Sequence, residues 1–318
     1  MAVVLAVALP ALAASPADAA GSSLGSRVHF GAYAAGFTGA GTQVRQLESQ
    51  LGARVSIASS FRGPGDLFPT GEEVTDAASG HTLLVSWDMG STSGDRFTTY
   101  TSGGHDAYLR SAAVFARDSN KTIYLRPWAE MNGDWQPFQP TADGSRVAGG
   151  TPAEFVAAWR HVVDVFRAVG ANNVGWVFNP TADTYAETTP VGSIFPGAGY
   201  VDVLGLDGYN WGIGGPGGWR SFETIFAGQY RNLTALATTL PVWVCEVGSK
   251  EPTESDGAPV DTSHTKSAWY SAALASTAFP AVQAFVLFDV RKERDWRVAS
   301  SSRSLRVVST AVVAAAGR

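Results

Sequence analysis

Eight short apolar segments, separated by longer stretches with a helical pattern, restrict the fold of this chain more than any other feature. They cover residues 28–33, 55–59, 82–87, 122–128, 174–178, 201–207, 242–246 and 283–289. Most are continuous apolar runs rather than alternating ones, which is typical of parallel strands buried on both faces. We therefore predict eight parallel strands connected by helices.

The clearest helix signal lies between the fourth and fifth segments. Thr151 can cap a helix that has Pro at its first position, and Glu154 completes a capping box. An apolar stripe with helical spacing follows, and Gly170 is placed to end the helix. Further helices are predicted over residues 106–117, 221–236, 263–275 and 304–316.

Strand and helix alternate about eight times, which favours a single (β/α)8 barrel domain over residues 21–318. A doubly wound open sheet is the alternative. It is less favoured because the segment Gly31-Ala-Tyr-Ala-Ala-Gly36 lacks the glycine spacing of a phosphate-binding loop.

Composition excludes some classes of partner. A net charge of −5 gives no support for a nucleic-acid partner or an anionic membrane surface.

The single cysteine, Cys245, allows no intramolecular disulfide and lies in an apolar run, as expected of a buried thiol. Ten Trp, nine Tyr and sixteen Phe can fill a core or offer flat platforms to sugar rings. We expect a monomer.

Residues 1–20 resemble a secretory signal, with a short apolar run followed by small residues and cleavage near Ala19 or Ala20. The positive charge that normally opens such a signal is missing, and a disordered Ala-rich tail is the alternative. We therefore expect a secreted, extracellular protein that has no membrane association after the signal is removed.

Catalytic residues of a (β/α)8 barrel lie at the carboxyl ends of its strands. Glu130 follows the fourth predicted strand and Glu246 ends the seventh, nearly opposite around the ring. Hydrolysis of a glycoside needs such a pair of carboxyl groups. Tyr209, at the end of the sixth strand, could donate a hydrogen bond to Glu246 and favour its ionised form. Taken singly, each glutamate could instead belong to a structural ion pair.

Glu130 needs the opposite environment if it is to act as an acid. Packing against Trp128, Met131 or Trp135 would raise its pKa and keep it protonated.

Four segments together resemble glycoside hydrolase family 26, a member of clan A. The stretch Tyr124-Leu-Arg-Pro-Trp-Ala-Glu130-Met-Asn-Gly-Asp-Trp135 resembles the acid/base signature of that family in letters and spacing. The segments from Asp207 to Trp211, from Val244 to Ser249 and from Phe288 to Trp296 resemble its strand-six, nucleophile and strand-eight segments. The resemblance extends from about Phe30 to Trp296.

The resemblance implies a retaining endo-hydrolase of a β-linked polysaccharide, with Glu130 as acid/base and Glu246 as nucleophile. It implies no metal and no organic cofactor. The residues it assigns to substrate binding or to holding the site together are Trp135, Tyr209, Asp207, Arg126 and Asn132. Strand-end position and aromatic character add Trp87, Trp211 and Phe288 as candidates for substrate binding.

Two departures bear on the substrate. Members of the family that cleave mannan commonly have His before the acid/base, where this chain has Ala129, and Phe288 occupies a position that often holds Trp. An endo-β-1,4-mannanase is the favoured interpretation. A lichenase-like β-1,3-1,4-glucanase, a β-1,3-xylanase and a non-catalytic carbohydrate-binding barrel are the alternatives.

Overall fold

The computed structural model describes residues 21–38, 40–90, 95–183, 188–254, 257 and 259–318. The predicted signal segment, residues 1–20, lies outside this range. Within it, no helix is long and apolar enough to cross a membrane.

Eight parallel strands close into a barrel, and β1 pairs with both β2 and β8. This confirms the predicted (β/α)8 fold, and the open-sheet alternative is wrong. The strands are β1 (His29–Ala34), β2 (Ile57–Arg62), β3 (Thr82–Trp87), β4 (Ile123–Pro127), β5 (Val174–Phe178), β6 (Val203–Asn210), β7 (Val242–Ser249) and β8 (Val282–Asp289).

Three strands extend further at their carboxyl ends than their apolar runs indicate. Strand β2 continues to Arg62, β6 to Asn210 and β7 to Ser249. The polar residues there still pair with neighbouring strands, as Asn210 does with Ser249. Hydrophobicity therefore underestimates strand length at the end of the barrel where polar side chains collect.

Nine helices lie within the described residues: α1 (Gln43–Leu51), α2 (Gly71–Ala78), α3 (Phe97–Thr101), α4 (Asp106–Ser119), α5 (Pro152–Val169), α6 (Val191–Ile194), α7 (Phe222–Leu236), α8 (Lys266–Ala275) and α9 (Ser302–Ala316). The predicted capping box of α5 is present, and Gly170 ends that helix in the left-handed conformation at φ 82°. Helix α8 begins later than predicted because Thr265 is its cap and accepts a hydrogen bond from the Ala268 N–H.

Two apolar layers hold the barrel together. A cluster of inward-facing strand residues fills its interior, and a larger cluster joins the outer faces of the strands to the helices. Cys245 is fully buried in the interior cluster, as expected, and burial raises the pKa of its thiol. The packed interior leaves the carboxyl ends of the strands as the place for a cleft.

Candidate active site

A cleft of about 550 Å³ lies at the carboxyl ends of the strands. Both Glu130 and Glu246 line it, together with Trp135, Tyr209, Trp211 and Phe288. The structure thus brings together, at the mouth of one barrel, most of the residues that the sequence singled out.

The backbone after β4 adopts an unusual conformation that aims Glu130 at this cleft. Trp128 has φ 49° and Glu130 has φ 58°, both in the left-handed region that residues other than glycine seldom occupy. The Glu130 N–H donates to the Asn179 carbonyl at 2.7 Å, which holds the turn against the end of β5. Strained backbone of this kind persists where the surroundings enforce it, and it concentrates at functional sites.

Asn132 secures the same turn from below. Its side chain accepts a hydrogen bond from the Thr181 N–H at 2.8 Å and donates one to the Thr181 carbonyl at 3.1 Å. The side chain is fully buried, whereas Thr181 itself lines the cleft. Asn132 therefore ties the Glu130 segment to the loop after β5, and its buried side chain has no surface for contact with a sugar.

The pKa of Glu130 is raised to about 7, chiefly by burial and then by the negative charge of Glu246. The Trp135 indole N–H donates to Glu130 Oε2 at 3.0 Å, and this bond opposes the rise. The direction of the shift is the one that the sequence predicted, although the hydrogen bond from Trp135 acts against it. Trp128 and Met131 are the other two residues that the sequence suggested as neighbours of Glu130. Both are fully buried in the layer between strands and helices.

Glu246 accepts hydrogen bonds from two donors. The Tyr209 hydroxyl donates to Oε2, as predicted, and Arg126 Nη2 donates to Oε1. Burial, and then the charge of Glu246, raise the pKa of Tyr209 well above its usual value, so the phenol remains a donor. The two hydrogen bonds fix the orientation of the Glu246 carboxyl group in the cleft.

Arg126 joins three strands beneath the cleft. Its Nη1 lies 3.0 and 3.1 Å from the two Asp207 carboxylate oxygens and 3.3 Å from Asn179 Oδ1. Burial lowers the pKa of Arg126, but Asp207 and Glu246 together raise it above its ordinary value. Both Arg126 and Asp207 are fully buried, so they support Glu246 from behind and have no exposed surface for contact with a substrate.

A bulge in β7 sets the position of Glu246. Leu206 pairs with Val244, but Asp207 pairs with Glu246, so β7 has one residue more than β6 at this point. The same irregularity appears on the other side, where Val244 pairs with Phe285 and Val247 with Leu287. A bulge of this type re-aims the side chain beside it. In this barrel it places Glu246 next to Asp207 on the cleft side.

Aromatic rings form the rest of the cleft wall. Trp135 is 44% exposed and Phe61 39% exposed. Phe288 stacks on Tyr33 with ring centroids 5.3 Å apart, and Trp211 is half-buried. The exposed rings offer the flat apolar surfaces that sugar faces pack against.

Trp87 occupies a different position from the one expected of a sugar platform. It borders the cleft but is fully buried, and its indole N–H donates to the Tyr108 hydroxyl at 3.1 Å. Its ring packs against Phe68 and Phe166. Trp87 therefore forms part of the supporting wall. Its indole has no exposed surface with which to contact a substrate.

Several lining residues were not among the predicted site residues, and they include Phe61, Asp183, Lys292, Glu293 and Trp296. Asp183 forms an ion pair with Arg220 at 2.6 Å, and its charge adds to the rise in the pKa of Glu130. Phe61 could have been found by extending the second strand beyond its apolar run. Asp183 lies in a loop after β5, and no motif marks it.

Comparison with known proteins agrees with this site. A sequence model of glycosyl hydrolase family 26 matches residues 107–270. Endoglucanase H of Acetivibrio thermocellus is 32% identical over 277 residues, which cover 85% of this chain and 29% of that protein. Mannan endo-1,4-beta-mannosidase A and B of Caldalkalibacillus mannanilyticus is 36% identical over 96 residues, or 30% of this chain and 18% of that protein. The chain thus spans less than a third of either relative.

Solved structures share the fold. The catalytic domain of the GH26 endo-beta-1,4-mannanase from Bacillus sp. JAMB-750 superposes with a TM-score of 0.66 at 16% identity, covering 92% of this chain and 90% of that one. A Cellulomonas fimi endo-beta-1,4-mannanase double mutant gives a TM-score of 0.63 at 19% identity, covering 93% and 72%. At such low identities the likeness concerns the fold alone.

Proposed function

The chain belongs to glycosyl hydrolase family 26, and on that premise we propose that it is a retaining endo-β-glycanase acting on a β-linked polysaccharide. The observation that carries the proposal is the contrast between its two cleft carboxyl groups. The pKa of Glu130 is raised to about 7 by burial and by Glu246, whereas Glu246 accepts hydrogen bonds from Tyr209 and Arg126. One group is suited to donate a proton and the other to attack as an anion.

Hydrolysis would proceed in two displacements. In the first, Glu246 attacks the anomeric carbon, the bond to the leaving oxygen breaks, and Glu130 transfers its proton to that oxygen. In the second, Glu130 removes a proton from water as the water oxygen attacks the same carbon and displaces Glu246. The raised pKa of Glu130 suits both steps, since an acid that must also act as a base works best near the operating pH.

Mannan is the favoured substrate. The family and the mannan-cleaving relative that matches part of the chain support it. Mixed-linkage β-glucan is the second candidate, because Ala129 lines the cleft where mannanases of the family commonly have His. Ala cannot donate a hydrogen bond to a sugar hydroxyl, and the relative that matches most of the chain has endoglucanase in its name.

Variants of the two glutamates test the assignment. Glu130→Gln and Glu246→Gln should each reduce polysaccharide hydrolysis by about 10³-fold or more, as expected when an acid/base or nucleophile is lost. Circular dichroism and the melting temperature check that both variants are folded. Full activity in either variant would refute the role of the glutamate that it replaces.

A second experiment separates the two roles. With an aryl glycoside whose leaving group needs no protonation, Glu130→Gln should retain its first step, and added azide should restore turnover. Glu246→Gln should stay inactive under the same conditions. A fluorinated mechanism-based inhibitor should label Glu246, and labelling of another carboxylate would contradict the nucleophile assignment.

The substrate is identified by a panel of mannan, glucomannan, lichenan, β-1,3-xylan and cellulose, with product sizes resolved by chromatography. Internal cleavage releases oligosaccharides of several lengths early in the reaction. Tight binding of an oligosaccharide without any release of reducing sugar would instead support a non-catalytic binding barrel.

We also propose that the enzyme is secreted and acts as a monomer outside the cell. Mass spectrometry of protein from the culture medium should find an amino terminus near residue 20, and sedimentation should give a monomer mass. Protein retained in the cell with residues 1–20 intact would contradict secretion.

A further inference from the structure

Lys266, the first residue of α8, is a fully buried lysine that takes no part in the chemistry proposed above. Its ammonium group makes three hydrogen bonds. They go to the carbonyls of Asp295 at 2.8 Å and Arg297 at 2.7 Å, and to the Ser300 hydroxyl at 3.0 Å. An ammonium group has three donors, so its capacity is fully used.

The two carbonyls lie on either side of Trp296, which borders the cleft. The backbone N–H of Trp296 donates a hydrogen bond to the Val290 carbonyl at 2.9 Å. Lys266 therefore holds the backbone both before and after this ring. Replacement of Lys266 would therefore alter the cleft through the position of Trp296.

Trp296 in turn packs against the residue that braces the nucleophile. Its ring centroid lies 4.8 Å from that of Tyr209, and the Tyr209 hydroxyl donates to Glu246. There is little free space around this contact. A Cβ placed on Gly248 would lie 3.0 Å from Trp296 Cε3 and 3.1 Å from Tyr209 Cδ1. The two rings thus both pack against Gly248 of β7, two residues beyond Glu246.

We infer that Lys266 is a positioning residue for the nucleophile, because by holding the backbone on both sides of Trp296 it keeps Tyr209 in place to donate its hydrogen bond to Glu246. The inference rests on the proposed function of Glu246. It extends the catalytic support from the strand ends to a helix on the outside of the barrel.

The charges around Lys266 fit a group that must remain an ammonium ion. Burial lowers the pKa of Lys266 to about 8, and the nearby carboxylates oppose that fall. Those carboxylates belong to the loops after β7 and β8 and to the end of β8, and they are Glu251, Glu254, Asp289 and Asp295. Arg297, one of the basic side chains in the loop after β8, is paired with Asp295 at 2.6 Å.

The test measures kcat and KM for wild type, Lys266→Met, Tyr209→Phe and the double variant on the glycan that the wild type cleaves. Met matches the length of the Lys stem without its donors. We expect Lys266→Met to lower kcat about tenfold with KM within about twofold, because a small misplacement of a reacting group is costly. We expect Tyr209→Phe to lower kcat by about 30-fold, and the double variant to be no slower, since both changes act through one hydrogen bond.

Lys121→Met is the matched control, because Lys121 precedes β4 at the opposite end of the barrel. It should leave kcat unchanged. A lysine that only stabilises the loop would lower the melting temperature of Lys266→Met and leave kcat within about twofold of wild type, and this result would overturn the inference. Additive losses in the double variant would overturn it as well.

The same set distinguishes the inference from the function on which it rests. Full activity in Glu246→Gln would remove the nucleophile assignment itself, whereas a fully active Tyr209→Phe, or a slow Tyr209→Phe beside a normal Lys266→Met, would remove only the role of Lys266. If Lys266→Met does not fold, Ser300→Ala decides the question, because it removes one of the three acceptors. A kcat lowered about two- to threefold supports the inference, and an unchanged kcat overturns it.

Discussion

Replacement of Arg126 by Met tests whether the buried ion pairs of Arg126 contribute to both stability and catalysis. The change removes a fully buried guanidinium that contacts Asp207, Asn179 and Glu246. Asp207 has no exposed surface and Glu246 is only 8% exposed, so solvent cannot replace the contacts that are lost. Methionine fills much of the volume, so the loss is one of charge and hydrogen bonds more than of packing.

The size of the effect follows from the burial of the pair. Removing one partner of a buried ion pair costs about 3–5 kcal/mol, because the other charge is left without compensation. The entropy of unfolding is about 2.1 cal/mol/K per residue, so a barrel of about 300 residues loses roughly 5–8 °C in Tm. Since Glu246 keeps only the Tyr209 donor, kcat should also fall about 10- to 100-fold.

The destabilisation should depend on pH in a definite direction. Burial, and then the charge of Glu246, already raise the pKa of Asp207, while Arg126 opposes the rise. Without Arg126 the folded-state pKa rises further above the unfolded value of about 4. The added penalty therefore grows as the pH rises through the raised folded-state pKa that Asp207 has in the wild type, and it shrinks as the pH falls below that value.

Differential scanning calorimetry at about pH 7 and about pH 4.5 measures this difference. Arg110→Met is the control, because Arg110 is an exposed arginine whose side chain is 57% accessible and paired with Asp106. It should change Tm by about 1 °C or less. The reasoning is refuted if Arg126→Met loses no more Tm than Arg110→Met, or if its loss is greater at the lower pH.

Three further outcomes follow from the structure. Because the pKa of Glu130 is raised to about 7, kcat/KM should fall on the alkaline side with a midpoint near that value, and a profile flat to about pH 8.5 would contradict its role as the acid. Burial lowers the pKa of His81, but the Glu48 carboxylate at 2.8 Å and the Asp76 carbonyl at 2.9 Å raise it overall. Its contribution to stability is present below about pH 6.5 and is lost as the pH rises through the folded-state pKa, so His81→Gln should lower Tm more at about pH 5.5 than at pH 8.5. Ala129→His should raise the ratio of mannan to lichenan hydrolysis, and an unchanged ratio would show that this position does not select the sugar.

Local pattern was sufficient to predict the fold and the two cleft glutamates. Continuous apolar runs are a property of neighbouring residues, and strands buried on both faces need them wherever they occur in a barrel. Glu130 and Glu246 could be placed because each stands directly after or at the end of such a run, where the strand reaches the cleft. The capping box of α5 was equally local, since Thr151 and Glu154 are three residues apart.

Other features depended on how distant segments meet. The bulge that brings Glu246 beside Asp207 is a difference in register between β6 and β7, and no stretch of either strand encodes it alone. The same holds for the effect of the Glu246 charge on the pKa of Glu130, since Glu130 follows β4 and Glu246 lies in β7.

The amino-acid sequence by itself determined the eight strands, five of the helices and the two carboxyl groups that reach the barrel mouth, because hydrophobic period and capping act over a few neighbouring positions. Only the tertiary structure decided that Arg126 and Asp207 lie beneath the cleft and that Asp183 and Trp296 border it. Burial and charge coupling arise between segments far apart in the chain, and closure of the barrel sets the distances between them.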